Sequence, residues 1–250
     1  MNPSARPPAD AAQAPDAPRL LVEVHAGLAT LTLNRPERLN AIDNALAQAL
    51  LDALSAIAAD RSVRAVLLRG AGRAFCAGRD VSAPPTEQDL VLVQAVASAL
   101  VRLPQPVLCA VHGWTVGAGL EWMLNADLVV AAEGTRFKLP EAALGVFVTG
   151  GLCATLPAAA GLARAKAMTL LGEPFTAAQA QAWGLVWQVV PDEALGAQAQ
   201  ALAARLLALR PDVAAGFKRV LNELGLATFD RALQAENAAQ RALAAGAPPA

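Results

Sequence analysis

Two carboxylates, Glu121 and Glu141, each sit just inside the start of a predicted helix, and two glycine-bearing turns lie near them in the chain. The turns read Ala74-Phe75-Cys76-Ala77-Gly78-Arg79-Asp80 and Gly113-Trp114-Thr115-Val116-Gly117-Ala118-Gly119-Leu120-Glu121. Turns of this kind release backbone N–H groups that hold a developing negative charge, and a pair of glutamates beside them supplies acid and base. Such a site needs main chain and two side chains, with no metal, catalytic histidine or nucleophilic serine. Each glutamate also has an ordinary explanation. Glu121 falls where helices take capping and dipole-complementing acids, and Leu139-Pro140-Glu141 is a standard helix opening. Two details favour chemistry. Helical side chains lean back towards the N-terminus, so Glu121, placed just after Ala118, reaches over the turn that presents the Ala118 N–H. Glu141 has Leu139, Ala142, Ala143 and Leu144 around it, and apolar surroundings raise a carboxyl pKa, which suits proton delivery.

Other chemistries find less support. The histidines and cysteines are scattered without metal-ligand spacing. His112 is expected to be a satisfied structural residue at a strand end, and His25 an exposed hairpin residue. Cys76, Cys109 and Cys153 read as reduced thiols of a cytoplasmic protein. Gly70-x-Gly72 and Gly117-x-Gly119 lack the third glycine of a dinucleotide fingerprint, and no Gly-Lys-Ser/Thr follows either turn. No G-x-S-x-G elbow exists. A net charge of −1 gives no general pull towards nucleic acid or anionic membrane.

The elements that must position these residues follow from hydrophobic periodicity. The chain has 250 residues, 55% hydrophobic and 16% charged, enough to bury a large core. Residues 20–24 and 28–33 alternate apolar and polar around His25-Ala26-Gly27, a hairpin pattern. Ile42, Leu46, Leu50, Leu54 and Ile57 recur at helical spacing, predicting a helix over 41–59 capped by Asn40. Residues 63–69 suit a strand buried on both faces. The alternation continues: helix 90–103, strand 106–111, helix 117–125, strands 128–132 and 135–139. Strands alternating with helices indicate a mostly parallel α/β core.

After Pro191 the chain becomes alanine-rich and strand-free, with helices expected at 193–209, 212–224 and 228–244. The organisation expected is a disordered leader over 1–18, an α/β core over 19–190 and a helical region over 191–250, frayed after 245. Residues 142–163 carry no charge and are long enough to span a bilayer, but Gly145, Gly150, Gly151, Pro157 and Gly161 interrupt them, so a buried helix–turn–helix is expected, not a membrane span.

Taken together, these segments resemble the crotonase family, whose best-known members are enoyl-CoA hydratases and isomerases. The likeness rests on Arg38-Leu39-Asn40-Ala41, Ala74 to Asp80, His112-Gly113-Trp114 through Gly119-Leu120-Glu121, Phe137 to Gly145 around Pro140-Glu141, and Ala182-Trp183-Gly184-Leu185-Val186, in order and at the family's spacing. The resemblance implies repeated ββα turns winding into a spiral core. A C-terminal helical oligomerisation region then makes homo-trimers, often paired into hexamers. It implies an acyl-CoA thioester substrate, with coenzyme A as part of the substrate and no separate cofactor.

Carried over from the family, the thioester oxygen is held by the backbone N–H groups of Cys76 and Ala118. Ala77, Gly78, Arg79 and Gly117 line the substrate, and Glu121 and Glu141 catalyse. Most members have glycine where this chain has Ala118, and a small residue where it has Arg79, which either narrows the pocket or contacts CoA. Arg38 stands where the family is usually basic: it contacts the CoA phosphates, or it is a solvated arginine ahead of a helix. Lys218 is a weaker candidate for a phosphate. Hydratases of the family carry glutamate at both acidic positions, so the resemblance implies hydration of a 2-enoyl-CoA to the 3-hydroxyacyl-CoA. The alternatives are an isomerase or thioester hydrolase of the same fold, or a non-catalytic acyl-CoA-binding scaffold. One departure stands out: the usual acidic-glycine turn and Ala-Phe-x-x-Lys-Arg ending is replaced by Gln240-Arg241-Ala242-Leu243 and a small-residue tail.

Overall fold

The computed structural model describes residues 17–82 and 86–246. Most of the expected leader (1–16), Pro84-Pro85 and the tail at 247–250 lie outside the described residues. The chain opens with β1 (Leu20–His25) and β2 (Leu28–Leu33), joined by Ala26 and Gly27, both at positive φ as a two-residue hairpin turn requires. Then follow α1 (Asn44–Ala59), β3 (Ala65–Gly70), α2 (Glu87–Arg102), β4 (Val107–Val111), β5 (Trp114–Val116), α3 (Ala118–Leu124), β6 (Leu128–Ala132), β7 (Arg136–Lys138) and α4 (Glu141–Leu144). The rest comprises α5 (Leu152–Ala160), α6 (Leu162–Leu171), β8 (Phe175–Thr176), α7 (Ala177–Ala182), β9 (Gln188–Val190), α8 (Leu195–Leu207), α9 (Pro211–Gly225) and α10 (Phe229–Ala244).

The main sheet runs β1-β2-β3-β4-β6-β9, antiparallel only between β1 and β2. A second sheet is ordered β5-β7-β8, parallel between β5 and β7 and antiparallel between β7 and β8. Strand alternation divides the burial. Val66 and Leu68 of β3, with Val107, Cys109 and Val111 of β4, face the main core, where α1 contributes Leu46, Leu50, Leu54 and Ile57 and α2 contributes Val93, Val96 and Leu100. Leu67, Leu108, Ala110 and Val130 point the other way and are covered by Ala199, Leu202 and Ala203 of α8. The buried-on-both-faces reading of 63–69 therefore holds, and the strand-free region begins with a helix that walls the core sheet. The uncharged stretch at 142–163 breaks at Gly145, Gly151 and Gly161, all at positive φ. Among the described residues no helix is long and apolar enough to cross a membrane.

The expected start of the first helix is corrected. Asp43, not Asn40, caps α1, its carboxylate accepting from Leu46 N at 2.8 Å. The reason is tertiary: Ile42 pairs with Arg79 as a parallel bridge, Ile42 N donating to Gly78 O and Asp80 N to Ile42 O, each 2.8 Å. That bridge pulls residue 42 out of the helix. Asn40 is fully buried at φ 55°, accepting from Arg35 N and donating to Ala71 O and Ala74 O, all at 2.8 Å. It ties the approach to α1 to the turn that leads into Cys76. Asn40→Ala strands these backbone groups without partners and is expected to cost about 2–3 kcal/mol. Urea denaturation checks this, and a loss below about 0.5 kcal/mol would be that of an ordinary surface change.

Candidate active site

The turn over 74–80 and the start of α3 lie against one another. Cys76 bridges Thr115, with Cys76 N donating to Trp114 O at 3.1 Å and Val116 N to Cys76 O at 2.9 Å. This corrects the expectation for Cys76: its amide is spent inside the second turn's strand and does not face a substrate. The thiol is buried as well, and burial pushes it up to about 12. The neighbouring Ala77 N donates to Leu39 O at 2.9 Å. Arg79 differs. In a parallel bridge the flanking groups make the bonds, and those with Ile42 are Gly78 O and Asp80 N, so the Arg79 N–H turns to the side opposite Ile42. Ala118 opens α3, so its N–H has no intrahelical acceptor. The two turns touch: a Cβ on Gly78, at φ 88°, would lie 2.8 Å from Val116 O and 3.7 Å from Ala118 N. Arg35 braces this region through ion pairs to Asp80 at 3.0 Å and Asp43 at 3.3 Å. Asp80 is held down to about 2, first by Ser82 and then by Arg35.

A cavity of about 390 Å³ opens over these turns. Ala77, Gly78, Arg79, Gly117, Ala118, Glu121 and Glu141 all line it, so most of the expected site residues share one space. Arg38 is exposed and outside that lining. Lys218 is corrected outright. It is buried, donating to Leu100 O at 3.0 Å and Gln105 O at 3.2 Å and paired with Asp127 at 2.7 Å, so it does not reach a phosphate. His112 bonds Gly72 O at 2.8 Å, the structural role expected of it, and His25 is exposed.

The carboxylates occupy different settings. Glu121 is 1% exposed, and its Oε2 accepts from Thr149 N at 3.1 Å and from Gly150 N. Burial, then the charges of Glu236 and Glu141, push its pKa well up, while the two amides act against the rise. Glu141 is raised to about 7 by burial, opposed only by its own N–H, and its Oε2 is buried with no hydrogen-bond partner among the described residues. Gly117 makes room for it: at φ 51° and ψ −126°, a Cβ there would stand 2.5 Å from Glu141 Oε1. The amides favour the anion at Glu121, and the unpartnered oxygen of Glu141 is suited to carry the proton.

Five contributors were missed in the sequence. Thr149 and Gly150 clasp Glu121 through backbone, which no side-chain pattern announces. Gln240 and Arg241 of α10 line the cavity, Gln240 accepting from Phe147 N at 2.7 Å and Arg241 pairing with Glu87. Glu236, also from α10, is fully buried behind Glu121. A signal for it existed: Phe229, Ala232, Leu233 and Glu236 fall on one helical stripe, putting an acid in an apolar register.

A mixed α/β fold that gathers two carboxylates and the start of α3 around one cavity fits the fold expected from the resemblance to the crotonase family. Comparison with known proteins agrees: the enoyl-CoA hydratase/isomerase family model matches residues 23–246, and the chain belongs to that family. It is 41% identical over 233 residues to 1,2-epoxyphenylacetyl-CoA isomerase of Escherichia coli K12, covering 89% of this chain and 88% of the relative. It is 35% identical over 229 residues to 2,3-dehydroadipyl-CoA hydratase of the same organism, covering 90% and 88%. The crystal structure of an enoyl-CoA hydratase from Mycobacterium avium subsp. paratuberculosis K-10 superposes with a TM-score of 0.86 at 34% identity, over 90% of each chain.

Proposed function

We propose that this protein hydrates a 2-enoyl-CoA thioester to the 3-hydroxyacyl-CoA, using Glu121 and Glu141 as a carboxylate pair and main-chain amides as an oxyanion clasp. The observation that carries this reading is the meeting of both carboxylates in one cavity in different hydrogen-bond settings, Glu121 clasped by two amides and Glu141 with a buried, unpartnered oxygen among the described residues. Glu121 takes a proton from water while the water oxygen bonds to Cβ. The Cα–Cβ π pair moves towards the thioester, and charge collects on its carbonyl oxygen. The amides of Ala118 and Arg79 receive that oxygen, the latter replacing Cys76 in the role; each such donor is worth about 3–4 kcal/mol to the transition state. Glu141 delivers its proton to Cα, and the enolate pair forms the new C–H bond. A proton passed from Glu121 back to Glu141 resets the pair. CoA enters only as part of the substrate.

The test is spectroscopic. Conjugated enoyl thioesters lose their ultraviolet absorbance on hydration, and short, medium and aryl enoyl-CoAs are all to be tried. No loss with any of them removes the proposal. Proton delivery by Glu141 also sets a pH dependence. The acid form is lost as pH rises through about 7, so kcat/KM falls on that side. A profile flat from pH 6 to 9 is incompatible with this role. Similarity to an isomerase at 41% identity supports a second reading, in which one carboxyl lifts a proton and returns it elsewhere on the acyl chain.

We further propose that copies of the chain associate as trimers or pairs of trimers. In support, α9 exposes Phe217 at 68%, Leu221 at 66% and Leu224 at 76%, an apolar row unusual for a monomer. Light scattering behind size exclusion reads the mass, and a monomer at micromolar concentration refutes association.

A further inference from the structure

The turn over 149–153 carries amides that serve two carboxylates from different helices. Thr149 N and Gly150 N point at Glu121 of α3. Gly151 N donates to Glu236 Oε2 at 2.8 Å and Cys153 N to Glu236 Oε1 at 2.7 Å. Glu236 is 0% exposed, on the stripe of α10 whose Phe229, Ala232 and Leu233 pack against Ala97 and Val101 of α2 and Ala154 of α5. Among the described residues no cation pairs with it. An apolar residue would continue that stripe at less desolvation cost, so packing alone does not account for a carboxylate there.

We propose that Glu236 is a positioning residue of the reaction: by binding Gly151 and Cys153 it holds the turn so that the Thr149 and Gly150 amides aim at Glu121, making the docking of α10 and the orientation of the base one event. This rests on the reading of Glu121 as base. The backbone supports it. Gly151 takes the left-handed conformation at φ 82°, where a Cβ would strike the Phe229 ring at 2.2 Å, so α10 seats directly on the turn. A Cβ on Gly150 would meet Glu121 Oε2 at 2.8 Å, so α3 approaches the turn from its other side. Asn125 Nδ2 secures Gly150 O at 3.0 Å. The titratable groups around this turn are Glu121 of α3, Glu141 of α4, Cys153 of α5 and Glu236 itself. From α2 the groups that meet α10 are the neutral Gln94, paired with Asn237, and two charged ones, Glu87 paired with Arg241 and Arg102 paired with Asp230. Burial contributes most to the raised proton affinity of Glu121, and the Glu236 charge adds to it.

Glu236→Gln keeps the volume, removes the charge and turns an NH2 towards one of the two amides. The expected result is a kcat lower by about 10–100-fold, since a misplacement of about 1 Å at a reacting group costs up to about 100-fold, with KM changed less than about threefold. The low-pH limb of kcat/KM, which reports deprotonation of Glu121, moves to lower pH because a repelling charge is gone. Glu236→Asp, which keeps charge and acceptors, recovers part of the rate. An unchanged kcat or an unshifted limb overturns the proposal. Glu121→Gln run beside it separates the two claims, since full activity there would remove the base reading itself. Should Glu236→Gln not fold, hydrogen exchange on the unaltered protein decides. Thr149, Gly150, Gly151 and Cys153 amides opening together with α10 support the coupling, and Thr149 and Gly150 staying protected while α10 opens ends it.

Discussion

Glu121→Gln and Glu141→Gln are each expected to lower the hydration rate by about 10²–10⁴-fold, the span for a lost general acid or base. The glutamine at 121 keeps its place. Its carbonyl oxygen accepts from Thr149 and Gly150 as Oε2 does, so the turn stays closed and KM changes little. What is lost is an oxygen able to take a proton from water. At 141 the consequence is reversed: an amide fills the same space beside Gly117 but has no acidic proton for Cα. The alkaline fall near pH 7 should vanish with it, since the group that produces it is gone. Steady-state kinetics and pH profiles of both variants check this. If either variant keeps turnover within tenfold of the parent, hydration by a carboxylate pair is wrong, and the single-acid isomerase reading takes its place.

Lys218→Met is expected to destabilise the fold by about 3–5 kcal/mol, the cost of leaving a buried charge without its partner. Lys218 of α9 reaches past the end of α2 to Leu100 O, Gln105 O and Asp127, and Asp127 also accepts from Val107 N at 2.7 Å. Burial lowers the lysine pKa and raises that of the aspartate, and the pairing opposes both shifts. Without the ammonium, Asp127 must stay ionised alone or take up a proton. For a chain of this size the loss corresponds to a melting temperature lower by roughly 6–20 °C. The double variant with Asp127→Asn should lose less, since no isolated charge remains. A single variant within about 1 kcal/mol of the parent would show that solvent reaches the pair.

The elements were legible because their signals are local. Period and capping act over a few residues, so β6 falls on 128–132 as expected and α10 starts within a residue of its predicted position. The residue types that carry chemistry were legible too: two acids, each opening a helix, beside turns that only glycine permits at 78 and 117. The apolar company of Glu141 foretold the direction of its pKa.

Interactions between distant segments were not legible. Which amide of the turn over 74–80 faces the cavity depends on the pairing of Cys76 with Thr115 and of Arg79 with Ile42. Moving one residue along an extended segment turns its N–H to the other side, and nothing in the local pattern reports that register. The same holds for Asn40, drawn from a cap into a buried hub, for Lys218, paired across 91 residues of chain with Asp127, and for α10, whose Glu236 and Gln240 meet the segment between α4 and α5 only once the chain has closed on itself. The amino-acid order by itself determined which segments form helices and strands and which acids stand ready at their starts. Tertiary structure decided which polar groups face each other across the site, because a hydrogen bond is set by distance in space, and these partners are far apart along the chain.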